Sequence, residues 1–406
     1  MTTNKQVRPL RVGLIGCGVI SDIYLKTSKR FDIIDIVACA SLNIEESRAK
    51  AQQYDIAKVC TPEEIIQDPN IDAVLNLTIP AVHGEISLAA VRAGKHVYSE
   101  KPFVTDLAEG QLILEEAKRN NVLVGNAPDT FLGSRVQTCK RLLDEGLIGR
   151  PIGVNAFVGT HGVERHHPNP DFYYKPGGGP LFDLGPYYLT AMIALLGPIK
   201  QVAGLAQRSF QQRQIESQPR AGEFIDVEVD THITSLLDFE SGLSGAMMTS
   251  FDIWDSQLPR LEIYGTEGTL CIADPDPTDG TNIFGGQVLY KTRQDARWSY
   301  RPRVQGLENW RVAENLHNHD QDSRGLGLVD LAYAAINQRA PRASGELALH
   351  VCEVMESIIQ SSDSRAFKNI ETRCDVPAAL PTDFPYSESV DVTSSVQNKQ
   401  QPATTE

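Results

Sequence analysis

The chain has 406 residues, 41% hydrophobic and 22% charged, a globular composition with more apolar material than one ordinary core holds, so two domains are expected. With 38 Lys and Arg against 52 Asp and Glu the formal charge is −14, which argues against nucleic acid as a partner. No apolar run approaches the ~20 residues that span a bilayer; the start of the chain shows no signal-peptide core, and the seven cysteines have neither metal nor redox spacing, so a cytoplasmic, reducing setting is expected.

Leu10 to Ile15 is an apolar run bounded by glycine and too short for a helix, as suits a strand buried on both faces of a parallel sheet. Gly16-Cys17-Gly18-Val19-Ile20-Ser21 then follows the dinucleotide-binding pattern, with serine at the third glycine position. The first glycine permits the turn, the second lets backbone approach a pyrophosphate, and the third position needs only a small residue. A helix opening at about Val19 aims its free N–H groups at the phosphates. Gly16, Gly18, Val19 and Ile20 are therefore candidate cofactor contacts.

Next come a strand "DIIDIVACA", a helix "NIEESRAKAQQY", a third strand from Asp72 to Pro80 and a helix opening at His83. A fourth strand "HVYSE", a helix "LAEGQLILEEAKRNN" and a fifth strand "VLVGNA" follow. This alternation predicts a doubly wound parallel α/β sheet over residues 1–126. Ligands of such sheets lie at the carboxyl ends of the strands. Thr78, Pro80, His83, Glu100 and Lys101 fall there and join the cofactor candidates. Ser41 ends the second strand, 23 residues after Gly18, where NAD-binding sites usually carry an acid for the ribose hydroxyls. Serine removes the charge that repels a 2′-phosphate, although no arginine follows at once and Arg48 is further along. The alternative is a neutral helix-capping serine. The residue favours NADP slightly, with NADP expected to be accepted at least as well as NAD.

From residue 127 the pattern changes. A helix "TFLGSRVQTCKRLLDEGLIG" leads into strands with period-two alternation, among them "PIGVNAFVGTHG", "VEVDTHITSLLDFESGLSGAMMTSFDIW" and "RLEIYGTEGTLCIAD", where "ESG" marks a hairpin. Residues 127–380 thus form a second, α+β domain with a large, mostly antiparallel sheet, completed by helices at about Leu326–Asn337 and Leu347–Ser361. The stretch 381–406 is polar and expected to be disordered. The available face of the sheet and the shortage of helices to cover it predict a homodimer or homotetramer. Within "KPGGGPLFDLGPYYLTAMIALLG", Asp183 and Tyr187 share one helical face. They are either a proton-handling pair around an alcohol carbon or an N-capping acid and a packed ring.

Together "GLIGCGVISDIY", "GKHVYSEKPF", "GGGPLFDLGPYY" and "EIYGTEGTL" resemble the glucose–fructose oxidoreductase / inositol dehydrogenase / rhizopine-catabolism (Gfo/Idh/MocA) family in order and spacing, over roughly residues 9 to 375. The resemblance implies a nicotinamide-dependent enzyme acting on a sugar, polyol or related carbohydrate. It also implies that Lys101 of the Glu-Lys-Pro motif touches the reacting oxygen and that Asp183 and residue 187 complete the catalytic site. Many members carry histidine where this chain has Tyr187. A fixed ammonium about 3 Å from that oxygen stabilises developing alkoxide charge.

On the substrate side "GTHGVERHHPNPDFYYKP" offers His161, Glu164, Arg165, His166, His167, Tyr173 and Tyr174, with Asp129 after the fifth strand as a further contact. The histidine spacing is not that of a metal-binding helical pair, and the family chemistry needs no metal. Two other functions fit the fold: a redox-neutral, NAD-dependent glycoside cleavage, and a non-catalytic nucleotide-sensing regulator. Retention of Lys101, Asp183 and Tyr187 argues against the regulator.

Overall fold

The computed structural model describes residues 8–273, 283–295, 310–321 and 324–385; most of the stretch expected to be a disordered tail, residues 386–406, lies outside them. The first sheet is built from β1 (Leu10–Ile15), β2 (Ile34–Ala40), β3 (Lys58–Val59), β4 (Ala73–Asn76), β5 (His96–Ser99) and β6 (Val124–Asn126). All neighbours are parallel and the order is β3-β2-β1-β4-β5-β6. Helices α1 (Ser21–Ser28), α2 (Ile44–Tyr54), α3 (Pro62–Gln67), α4 (His83–Arg92) and α5 (Leu107–Arg119) connect the strands. The apolar runs of β1 and β4 are buried nearly throughout because both faces of the sheet are covered. Strand order reverses between β1 and β4, and a doubly wound sheet opens its ligand crevice there.

Two elements of the first domain escape the sequence reading. Strand β3 has two residues, and α3 is a single short helix whose start is nonetheless encoded: Thr61 caps it, Pro62 is its first residue, and Glu64 closes the capping box. The third strand is also shorter than expected, so Thr78 and Pro80 lie in the turn beyond β4.

After α6 (Ser134–Asp144) the second sheet takes β7 (Pro151–Gly159), then, past α7 (Pro180–Leu196), β8 (Ile199–Gln207). A small hairpin of β9 (Gln212–Gln214) and β10 (Phe224–Asp226) stands apart. Strands β11 (His232–Phe239), β12 (Ser244–Ser250), β13 (Leu261–Gly265), β14 (Gly268–Ile272), β15 (Leu289–Thr292), β16 (Arg311–Val312) and β17 (Lys368–Asn369) complete the sheet. Its order is β16-β15-β14-β13-β7-β12-β11-β8-β17, antiparallel except for the β7–β12 pair. The expected hairpin at "ESG" joins β11 to β12.

The last two helices, α8 (Leu326–Asn337) and α9 (Gly345–Ser364), were expected to complete the second domain. Of these, α9 packs on β8 and α7 of the second domain and reaches α5 of the first on its other side, whereas α8 packs on β5 and β6 of the first sheet. The Asn126 N–H donates to the Ala343 carbonyl at 2.9 Å, tying the connection between these helices to the end of β6. Even the first residues of the expected tail are packed: Phe384 is buried against Tyr333, with ring centroids 5.7 Å apart. Among the described residues no helix is long and apolar enough to cross a membrane.

Candidate active site

At the crevice, the two glycines of the β1–α1 turn differ in what holds them. Gly16 has φ +104°, and a Cβ there would lie 2.4 Å from the Leu77 carbonyl oxygen, so the fold itself demands glycine. A Cβ on Gly18 would meet nothing within 4 Å. The chain leaves this space open, as a backbone meant to be approached by a pyrophosphate would. Ser21 takes the third glycine's place without a clash, its hydroxyl turned back to donate to the Gly18 carbonyl at 2.6 Å. Val19 is 90% exposed on the rim and Ile20 half-buried beside it.

Across the crevice, Thr78 donates its hydroxyl to Asn76 Oδ1 at 2.6 Å, and Pro80 is exposed. His83 and Glu100, expected at the cofactor, are engaged within the chain. The buried His83 ring sits between the carbonyls of Pro102 (2.7 Å from Nδ1) and Thr78 (2.9 Å from Nε2). Glu100 accepts from the Tyr24 hydroxyl at 2.9 Å and the Lys101 N–H at 2.8 Å, fastening α1 to the end of β5. At the end of β2, Asn43 rather than Ser41 caps α2, its side chain accepting from the Glu45 N–H. Ser41 instead donates to Glu46 Oε2 at 3.1 Å, and Arg48 is ion-paired with Glu45. A carboxylate therefore does stand at the lip of β2, supplied from the first turn of α2.

Lys101 follows β5 and Asp183 lies in the first turn of α7, brought together over 82 residues of sequence. The ammonium donates to Asp183 Oδ1 at 2.9 Å and to the Asp183 carbonyl at 3.0 Å, and it lies 5.4 Å from the centroid of the Tyr187 ring. The two charged side chains are only 18% and 19% exposed. Burial pulls the lysine pKa down, but the neighbouring Asp183, helped by Tyr187 and Glu100, outweighs it and holds the ammonium above the usual lysine range. Lys101 is thus a fixed cation at neutral pH. Tyr173 adjoins the group, its phenol pushed up to about 12 by burial and the Asp183 charge.

Asp129 does not join this cluster. It is fully buried and caps α8, with Oδ2 accepting from the N–H groups of Gly325 and Gly327, each at 2.8 Å. Burial pushes its carboxyl up to about 6 in spite of those two donors. From the ordinary value of about 4 to about 6, the folded chain retains a proton that the unfolded chain has released. Stability from this group is therefore greatest at low pH and is lost as pH rises through that window. Asp129→Asn keeps an acceptor for both glycines and is expected to gain roughly 1–3 kcal/mol at pH 7 relative to pH 4. Urea midpoints of parent and variant at the two pH values check it; parallel curves would sink the assignment.

The loop after β7 divides its residues between interior and rim. Glu164 and Tyr174, expected to face a ligand, are internal: the Tyr174 hydroxyl donates to Glu164, and Arg213 Nε donates to the same carboxylate at 2.8 Å. His161 stacks on Trp254, with centroids 3.3 Å apart and planes at 15°. His167 packs edge-on to Phe172 and Tyr173. Glu46, Arg213 and Trp254 were missed. Glu46, five residues after Ser41, and Trp254, an aromatic residue just past the end of a strand, carried a local signal; Arg213 carried none.

Two family models match the chain: one described as "Oxidoreductase family, NAD-binding Rossmann fold" over residues 10–127, the other as "GFO/IDH/MocA C-terminal domain" over residues 136–271. Among curated proteins, the myo-inositol 2-dehydrogenase of Thermotoga maritima is 26% identical over 298 residues, covering 72% of this chain and 85% of the relative. The 1,5-anhydro-D-fructose reductase of Ensifer adhaerens is 26% identical over 269 residues, 64% of this chain and 74% of the relative. Among solved structures, levoglucosan dehydrogenase in complex with NADH and L-sorbose shares the fold with a TM-score of 0.75 at 19% identity, covering 90% of this chain and 100% of that one.

Proposed function

The chain belongs to the Gfo/Idh/MocA family of oxidoreductases, with an NAD-binding Rossmann domain, and from that premise we propose that it moves a hydride between a nicotinamide dinucleotide and a carbon-bound hydroxyl or carbonyl of a sugar, polyol or related carbohydrate. The observation that carries the reading is the Lys101 ammonium, held 2.9 Å from Asp183 beside Tyr187 at the carboxyl edge of the parallel sheet. The bound dinucleotide supplies the hydride acceptor or donor; the rest of the chemistry falls to side chains. Lys101 stabilises the negative charge that develops on the substrate oxygen. Because Lys101 stays protonated, exchange of the hydroxyl proton falls to Tyr187, with Asp183 fixing the ammonium between them. On the cofactor side, the Gly16–Gly18 turn, Val19 and Ile20 would hold the pyrophosphate, with Thr78 and Pro80 across the crevice.

The names of the relatives point to cyclic polyols and sugar ketones as the substrate class. A panel of free aldoses, polyols and branched sugars, followed at the nicotinamide absorbance with NAD and NADP, tests the reading. Net reduction with at least one is expected. Sugar released from a glycoside with no net absorbance change would replace the reading by redox-neutral cleavage.

Glu46 alters the expectation for cofactor choice. Its carboxylate on Ser41 is positioned to accept the ribose hydroxyls and to repel a 2′-phosphate, and Arg48 is already engaged. We therefore favour NAD over NADP. Glu46→Gln is expected to raise kcat/KM for NADP relative to NAD by roughly ten- to a hundredfold, the range for one hydrogen bond to a charged group. An unchanged ratio would leave Ser41 as the only determinant.

We also propose that the open face of the nine-stranded sheet is covered by a second copy of the chain. Leu205 and Leu236, on adjacent strands, are 57% and 53% exposed there with Ala203 paired beside them, and apolar faces of this kind are normally buried by a symmetric partner. Light scattering at micromolar concentration should give a dimer or tetramer; a monomer would rule it out.

A further inference from the structure

A row of exposed aromatic rings stands on the loops at one end of the central strands of the second sheet. Strands β7 and β12 are parallel neighbours paired Gly159 to Ser250, so the loops that follow them leave together. They are stitched by two backbone hydrogen bonds, Thr160 N–H to Ser250 at 2.9 Å and Ile253 N–H to Thr160 at 3.1 Å. On these loops His161 stacks flat under Trp254, yet Trp254 remains 72% exposed. Phe210, 44% exposed, meets the His161 edge, and the Arg165 guanidinium lies 5.6 Å from the Trp254 centroid. Beneath them the buried Arg213 fixes both loops, donating to the His161 carbonyl at 2.9 Å, to the Phe251 carbonyl at 3.2 Å and to Asp252 at 3.1 Å. The loops connect inward to the catalytic cluster through the buried Phe251, three residues before Trp254, whose ring centroid lies 6.4 Å from that of Tyr173; Tyr173 adjoins Asp183 and carries Phe172, 55% exposed, 4.0 Å from its ring.

We propose that this row is a second sugar-binding subsite, and that the preferred substrate is a glycoside or short oligosaccharide whose non-reacting ring stacks on Trp254. An indole presents a negative face, and the axial C–H groups of a pyranose present weakly positive hydrogens at the spacing of that face. The neighbouring Arg165 gives N–H groups for the ring's hydroxyls, the mix of apolar wall and a few polar groups typical of a sugar site. A nucleobase would offer the same flat stacking, but the chain's charge of −14 disfavours a polyanion. The open sheet face proposed for a second copy lies on other residues. The inference rests on the hydride-transfer reading for its substrate class.

The test compares glucose with the glucose disaccharides cellobiose, maltose and gentiobiose. With the unmodified chain, kcat/KM should favour at least one disaccharide. Trp254→Ala should lower the ratio of disaccharide to monosaccharide kcat/KM roughly tenfold through KM, the size of one aromatic contact and the apolar area it covers, and Trp254→Phe should restore part of it. Trp254 is one of three tryptophans, so its emission reports binding without turnover: a disaccharide should change it and glucose should not, and Trp254→Ala should abolish the change. If no sugar is turned over, the hydride-transfer reading fails while the titration still decides the subsite. Absence of a Trp254-dependent signal with every disaccharide overturns the subsite, as does a Trp254→Ala variant that changes oligomeric mass or slows both substrate classes equally.

Discussion

Replacing Lys101 by alanine should lower turnover by at least about 10²–10³-fold while leaving dinucleotide affinity close to that of the parent. The side chain is the only strongly charged donor described beside Tyr187, and its ion pair with Asp183 holds it in place with little exposure. A preorganised cation acts where charge develops in the transition state and not on the bound ground state, so the loss should fall on kcat more than on KM. Proton handling by Tyr187 depends on the same cluster, which enlarges the effect. Lys101→Arg should not rescue, because a planar fork cannot replace a point charge that already shares its hydrogens with the Asp183 carboxylate and carbonyl. Dinucleotide affinity by fluorescence and single-turnover rates separate the two steps; parent-like turnover in Lys101→Ala would falsify the proposed role.

The largest stability effect is expected at Arg213. Its side chain is 5% exposed and paired with Glu164 at 2.7 Å and Asp252 at 3.1 Å, themselves 4% and 8% exposed. Removing the cation leaves two buried carboxylates facing one another across a cavity, a loss of about 3–5 kcal/mol. Arg213→Lys should recover little, since one ammonium cannot serve the two acids and the two backbone carbonyls that the guanidinium reaches. The drop should appear in the denaturant midpoint with an unchanged slope. A loss below ~1 kcal/mol would mean that the acids are wet in solution and the pair is worth no more than a surface one.

Much of the parallel sheet was legible because burial on both faces leaves unbroken apolar runs, as in β1 and β4. Strands β3 and β8 escaped for different reasons. The first is too short to show any period. The second turns Val202 and Gly204 inward but breaks the alternation at Ile199, three residues before Val202, and it follows a helix whose last turns are apolar, which masks the change of period. The catalytic candidates were found by motif, and only the fold shows that Lys101 and Asp183 touch. Asp129 was misplaced because its partners, Gly325 and Gly327, are almost two hundred residues away, and a strand-end acid reads the same whether it faces a ligand or caps a helix. Glu46 was missed for the opposite reason: it is five residues from Ser41, but the search for an acid stopped at the end of the strand, whereas the turn into α2 carries the carboxylate back to it.

The return of α8 and α9 to the first sheet bears on how the chain is made. The β6 edge receives its partner segment at Ala343, more than two hundred residues later. During synthesis the nucleotide-binding domain must therefore wait, its last strands and the buried Tyr98 ring of β5, against which Gly327 of α8 packs, open to water until nearly the whole chain has left the ribosome. Contacts so distant in sequence slow folding and lengthen the time an unpaired strand is available to a neighbouring nascent chain. A fragment ending at residue 126 is expected to bind holdase chaperones and to aggregate, although it holds every residue assigned to the dinucleotide. The cofactor-binding half of this protein is a module in chemistry but not in biogenesis.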